Sequence, residues 1–185
     1  MIRVYNPLMP LQPEHALLLR DSAVRSYKSE QPVTQRVIEA IPLDKGDFKM
    51  DEVGKTALDL AWHIVGAEHR FQDFVVTGTF DLTPTPRPAH LDNSAALARW
   101  YAETAATDLE RVAALSGDAL VKVIDFRGVF KFPAVNFLQV GLNHSIHHRG
   151  QLTMYLRPMG AKVPSIYGES YDARQAREQA ERTQG

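Results

Sequence analysis

Three of the seven histidines in this 185-residue chain fall within one run, Asn143-His-Ser-Ile-His-His-Arg-Gly-Gln151. If the run is helical, His144 and His148 stand one turn apart, because residues i and i+4 are neighbours on a helix surface. Two imidazoles at that spacing can chelate one divalent ion, or they can be core histidines satisfied by hydrogen bonds. With His144 at zero on a helical wheel, His148 falls at about 40°, Phe137 and Tyr155 at about 20°, Gln151 at about −20° and Gly141 at about 60°. The pair is therefore expected to lie along the core stripe of its helix. His147, at about −60°, stands on the rim of that face. Leu138, Leu142, Arg149 and Leu156 form a second stripe about 120 to 160° away, which points to another neighbour such as a second subunit.

A third ligand would favour metal over ordinary core, and Leu60-Ala-Trp-His63-Ile-Val-Gly-Ala-Glu-His69 offers one. Leu60, Ala67, Phe71 and Phe74 share the broad face of His63, so His63 is expected to look inward. His69 lies about 120° off that face and reads as a surface residue. His15 and His90 read the same way. A site of His63, His144 and His148 would leave coordination positions open for water or substrate, the mark of a catalytic centre. Asp59, one turn before His63, could accept the second N–H of an imidazole, ligate directly, or be a plain surface aspartate. Gln151 and Tyr155 could line the cavity on the cluster's own face, and Tyr155 could equally be core.

Other chemistries are excluded by inspection. The chain has no cysteine, so any metal is held by nitrogen and oxygen, a donor set open to zinc, nickel or iron. Ser, not Glu, follows His144, which removes the His-Glu-x-x-His zincin pattern. No histidine has Glu three residues before it, which removes the Glu-x-x-His pairs of di-iron bundles and leaves a mononuclear site. Gly-x-Ser-x-Gly, Walker A and Gly-x-Gly-x-x-Gly motifs are absent.

The elements that must position these residues are mostly helical. Periodicity of 3.6 predicts four long helices: about Glu14–Ala40, kinked or divided at Pro32; about Asp51–Val76; from the Leu91–Ser94 caps to a glycine stop at Ser116-Gly117; and about Pro133–Arg157. Val121–Phe132 is the one good strand-like stretch, a hairpin or extended loop around Arg127-Gly128. The segment Thr77–His90 carries Pro84, Pro86 and Pro88. Extended, it could cover on the order of 40 Å, about the length of a helix of this size. Helices two and three could then be parallel, giving an all-α, up-down-down-up four-helix bundle with a long crossover between helices two and three. Residues 1–168 read as one domain and 169–185 as a polar tail without an apolar stripe.

Composition bounds the partners. A formal charge of −1 with 44% hydrophobic and 23% charged residues describes a soluble globular chain with no electrostatic reason to bind nucleic acid. No segment approaches the roughly 20 apolar residues that span a bilayer, and prolines interrupt the N-terminal stretch MIRVYNPLMPLQPEH. A cytoplasmic chain that keeps its N-terminus is the expectation, with no membrane partner.

The motif LAWHIVGAEHRF, followed much later by NHSIHHRGQLTMYLRPMGAKVPSIYG, resembles the DinB/YfiT-like metalloenzyme superfamily from about Ala16 to Gly168. The resemblance implies the same up-down-down-up bundle, a homodimer, and a divalent metal on positions matching His63, His144 and His148. Characterised relatives include S-transferases using low-molecular-weight thiols such as bacillithiol or mycothiol, and a mycothiol-dependent maleylpyruvate isomerase. The expected function is thus metal-dependent thiol S-transfer to a small-molecule electrophile. The alternatives are a metal-dependent hydrolase, with Asp59 or Glu30 as base, and a non-catalytic dimer that binds metal or a small molecule.

Overall fold

The computed structural model describes residues 3–4, 10–79, 83 and 85–184. It is mainly helical. Helix α1 (Pro13–Glu39) starts on a proline, whose missing N–H would have no partner in a first turn. It runs through Pro32 as one continuous helix. Helix α2 (Ala57–Thr77) begins later than the Asp51 expected from the pattern. The reason is local: Asp51 Oδ1 accepts from the N–H groups of Val53 (3.0 Å) and Gly54 (2.6 Å), closing a turn. Thr56 then caps the helix by accepting from the Asp59 N–H at 3.1 Å. Gly78, at φ 75°, ends it in the left-handed conformation that glycine tolerates best.

Helix α3 (Ser94–Ala113) has the predicted cap, with Asn93 accepting from the Ala96 N–H at 2.9 Å. Its end differs from expectation. Gly117 is not its C-cap; Ser116 instead caps a short helix α4 (Gly117–Val121). A Cβ at Gly117 would lie 2.6 Å from the Pro13 carbonyl oxygen, so this glycine serves close packing against the start of α1.

The strand-like stretch is a hairpin, β2 (Val123–Phe126) and β3 (Phe130–Pro133), antiparallel with Phe126 opposite Phe130. Arg127 (φ 57°) and Gly128 (φ 71°) make the turn. Strand β1 (Arg3–Val4) adds in parallel to β3, so the bundle carries a small three-stranded sheet. Pro133 was expected to open the fourth long helix, yet it pairs with Val123 in the sheet. Bonds from Ala134 N–H to Lys122 O and from Val135 N–H to Leu120 O hold the chain there, and α5 (Asn136–Leu156) starts beyond them. The tail forms α6 (Tyr171–Gln184), anchored where Asp172 accepts from Arg157 (3.1 Å) and the Val163 N–H (2.8 Å). The stiff path expected at Pro84 lies outside the described residues, as do positions 80–82. No helix among the described residues is long and apolar enough to cross a membrane.

Each long helix packs on two others: α1 on α3 and α5, α2 on α3 and α5. Ser94 Oγ donates to Ile41 O (2.7 Å) and Arg20 to Leu115 O (2.7 Å), so α1 and α3 meet end to opposite end. Trp62 sits beside Trp100 and Asp73 pairs with Arg111, so contacts along α2 and α3 advance together. Phe74 meets Phe137 while His63 meets His148, so α2 and α5 run opposed.

Helix α5 packs on two neighbours, and the one on its second stripe differs from the second subunit that the sequence suggests. Leu138, Leu142, Arg149 and Leu156 are buried within this chain. Tyr27 donates to Leu138 O at 2.8 Å, and Arg149 pairs with Glu30 (2.6 Å) and donates to Thr34 (3.2 Å), so the neighbour of that stripe is α1, not a second subunit. The histidine stripe faces α2 instead. There Gly141 lets the helices close: a Cβ on it would stand 2.7 Å from Phe71 Cβ and 2.8 Å from the Tyr27 hydroxyl. Gly141→Ala is expected to lower unfolding free energy by roughly 1–3 kcal/mol, the usual cost of overpacking, as read by urea denaturation. An unchanged midpoint would show that the contact yields freely.

Candidate metal centre

His63 on α2 and His144 and His148 on α5 come together, and one ring nitrogen from each lies within 4.8 Å of the others. All three are half-buried. They stand on the flank between α2 and α5, not on the bundle axis. The wheel gave the angle between side chains correctly but measured inwardness from the wrong stripe.

The donor chemistry fits a divalent cation. His148 Nδ1 lies 2.7 Å from Gln151 Oε1, an acceptor only, so this nitrogen is the donor and Nε2 is the ring nitrogen left for a ligand bond. That Nε2 is 3.3 Å from His63 Nε2. At metal–nitrogen lengths of 2.0–2.1 Å, two ligands of a tetrahedral ion stand about 3.3–3.4 Å apart. His144 Nδ1 is buried with no hydrogen-bond partner among the described residues, which is costly for a ring nitrogen unless a cation or acceptor meets it. Burial, followed by the neighbouring imidazole of His148, holds the pKa of both His63 and His144 down to about 4. Both rings are therefore neutral, with lone pairs available, near pH 7.

The other predicted residues divide. Gln151 bonds His148 and, through Nε2, approaches His147 at 3.2 Å. His147 is exposed at the rim. Tyr155 is half-buried, donates to Lys55 O at 3.3 Å and packs edge-on against Phe48. Asp59 bonds no histidine; its Oδ1 accepts from Arg87 Nε at 3.4 Å. Its alternative as a ligand receives no support, because its carboxylate lies outside the ligand cluster.

Two clefts adjoin the histidines. A cleft of about 620 Å³ lies toward the crossover segment, walled by Trp62, Trp100 and Pro86 with Lys55, Arg70 and Arg87 on its lining. A second, of about 390 Å³, lies on the other side, among Met50, Leu60, Met154 and Tyr155. His63 and Lys55 line both.

Sequence reasoning missed two features. His69, expected at the surface, lines the larger cleft and holds Asp108 Oδ2 at 2.5 Å through Nδ1. Glu68, beside it, is buried and accepts from Gln31 and Tyr101, each at 2.9 Å. Burial pushes its carboxyl pKa up against the pull of those hydrogen bonds. The signal was available: Ala61, Ile64, Val65, Glu68, Gln72 and Val75 recur at core spacing, and all six are buried.

Comparison with known proteins agrees with this architecture. The DinB family profile matches residues 14–182. This chain belongs to the DinB family. It is 29% identical over 139 residues to the uncharacterized protein YjoA of Bacillus subtilis (strain 168), covering 74% of this chain and 88% of that one. It is 26% identical over 157 residues to YrdA of the same organism, also uncharacterized, covering 80% and 87%. The crystal structure of the DinB-like protein YjoA from Bacillus subtilis superposes with a TM-score of 0.63 at 27% identity, over 78% of this chain and 97% of that one. A DinB-like protein from Bacillus cereus ATCC 10987 has the same fold, with a TM-score of 0.66 at 24% identity over 80% and 97%.

The His69–Asp108 pair gives this DinB-family chain a pH signature. The Asp108 hydrogen bond is the main cause raising the pKa of His69, and burial opposes it. A pKa raised on folding stabilises fully below the unfolded value, and that contribution is lost as pH rises through the folded value. The stability difference between wild type and His69→Gln is expected to be largest below about pH 6 and to shrink at higher pH, measured by urea unfolding across a pH series. A difference independent of pH would argue against the ion pair.

Proposed function

We propose that this chain is a mononuclear metal-dependent enzyme that transfers a low-molecular-weight thiol to an electrophilic small molecule. Its ligands are His63, His144 and His148, carried on a bundle of up-down-down-up topology with the crossover between α2 and α3. The helix contacts described above support that topology. The observation that carries the reading is the position of the cluster: His63 lines both the cationic, tryptophan-walled cleft and the apolar one. A transfer reaction needs two substrates to meet at one centre, and two clefts sharing one histidine supply that arrangement. Hydrolysis needs a single cleft and a free base, and Asp59, the carboxylate in the larger cleft, is engaged by Arg87.

A divalent ion held by His63, His144 and His148 would supply Lewis acidity that favours the thiolate form of a bound thiol near neutral pH, without a protein cysteine. The residues of the chain prepare that chemistry. Gln151 fixes the tautomer and orientation of His148. Burial keeps His63 and His144 neutral. Trp62 and Trp100 form an aromatic wall in the cleft that His63 lines.

Elemental analysis tests the ligands. Wild type is expected to retain a single divalent ion per chain; His63→Ala and His144→Ala should lose it, and Gln151→Ala should bind it about 10–100-fold more weakly. Unchanged metal content in both histidine variants would end the three-histidine reading. If metal-loaded wild type leaves cellular thiols unconsumed in the presence of alkylating electrophiles, the transferase reading falls and the metal site stands.

A further inference from the structure

The larger cleft carries positive charge in a chain whose formal net charge is −1. Asp59 is matched by Arg87, and Asp108 by His69 and Arg111. Arg87 is further occupied by donating to Leu91 O at 2.6 Å. That leaves Lys55 and Arg70 on the lining, with neither side chain hydrogen-bonded or ion-paired among the described residues. Arg70 is half-buried, and its charge reaches both His63 and His144. His69 bonds Asp108 through Nδ1, so Nε2, on the opposite edge of the ring, remains for the cleft. The same cleft has an aromatic wall: Trp62 and Trp100 have ring centroids 5.2 Å apart with their planes inclined at 54°, and Trp62 Nε1 donates to Thr85 O at 2.9 Å.

We infer that this cleft binds a small carboxylate with a flat apolar body, its anionic end at Arg70 and His69 and its body against Trp62 and Trp100. A cleft of about 620 Å³ is within the usual range for small-ligand sites. Carboxylate is favoured over phosphate because Arg70 offers a fork that matches two carboxylate oxygens and stands well along α2, away from the helix N-terminus where a phosphate would be cradled. That this ligand is a substrate rests on the function proposed above. Its binding does not.

The chain's two tryptophans are Trp62 and Trp100, so intrinsic fluorescence reads this cleft directly. The probe is 4-nitrobenzoate, compared with nitrobenzene, 4-nitrobenzylamine and 4-nitrophenyl phosphate, with affinities confirmed by calorimetry on the full chain. Nitrobenzoate is expected to bind and quench saturably, at least roughly tenfold tighter than the neutral and cationic probes, as one charge-assisted contact implies. Arg70→Gln should remove that preference and Arg70→Lys restore part of it. Binding should survive in His144→Ala and in the presence of a chelator, which separates this inference from the metal reading. Equal affinity for all probes, or tighter binding of the phosphate, would overturn it. So would binding lost with the chelator, because the carboxylate would then sit on a metal ion.

Discussion

The close packing of α2 against α5 is the contact on which the site depends. The three histidines come from two helices far apart in sequence, and only the register of that pair brings them together. The register is set along its whole length: Phe74 against Phe137, Gly141 beneath Phe71, His63 at His148, and Lys55 O accepting from Tyr155. A slip of a single turn would carry His63 about 5.4 Å along the helix axis, well beyond the roughly 2 Å reach of a ligand bond. Clustered imidazoles contribute little cohesion of their own. The aromatic packing of Phe71, Phe74, Phe126 and Phe137 supplies it from the hairpin end.

Rotation of α5 is a separate requirement, and Arg149, next to His148, meets it. Its guanidinium is buried among Glu30, Thr34 and Tyr167, so α5 is tied to α1 and to the segment leading into the tail. Turning α5 enough to hide the histidines would strip Arg149 of Glu30, and breaking a buried pair costs about 3–5 kcal/mol. Glu68 does the same for α2. With Gln31 of α1 and Tyr101 of α3 bonded to its carboxyl group, α2 is held in the rotational setting that satisfies this buried polar group, and in that setting His63 faces α5.

This division explains what could be read from the sequence. The His144–His148 spacing, the Asn93 cap and the Arg127-Gly128 turn are local, and local chemistry decides them. Inwardness is not local. A wheel fixes angles between residues on one helix, and α5 has two buried faces because two helices pack on it. The stripe containing Arg149 points to a neighbour without saying which, because its partner Glu30 lies on another helix. His69 was misplaced because its angle was measured from His63 instead of from the buried row through Ile64 and Glu68. The start of α2 moved from Asp51 to Thr56 because an aspartate that could cap a helix closes a turn instead. The fold class and the histidines that cluster were legible. Which face was core, and which charges were internal, required the neighbouring helices.

A site on the flank has consequences that an axial one would not. Histidines on the bundle axis would be sealed, and substrates could reach them only if helices parted, at the expense of the packing that sets their register. Between α2 and α5, the half-buried cluster meets two clefts while the core row of Ile64, Glu68 and Gln72 remains closed. The same placement lets one charge serve two ends. Burial is the main reason that His63 and His144 resist protonation, and the Arg70 guanidinium adds to it. A cation that discourages protons on the imidazoles also attracts anions into the cleft beside them. It can do both because no neighbouring carboxylate among the described residues neutralises it.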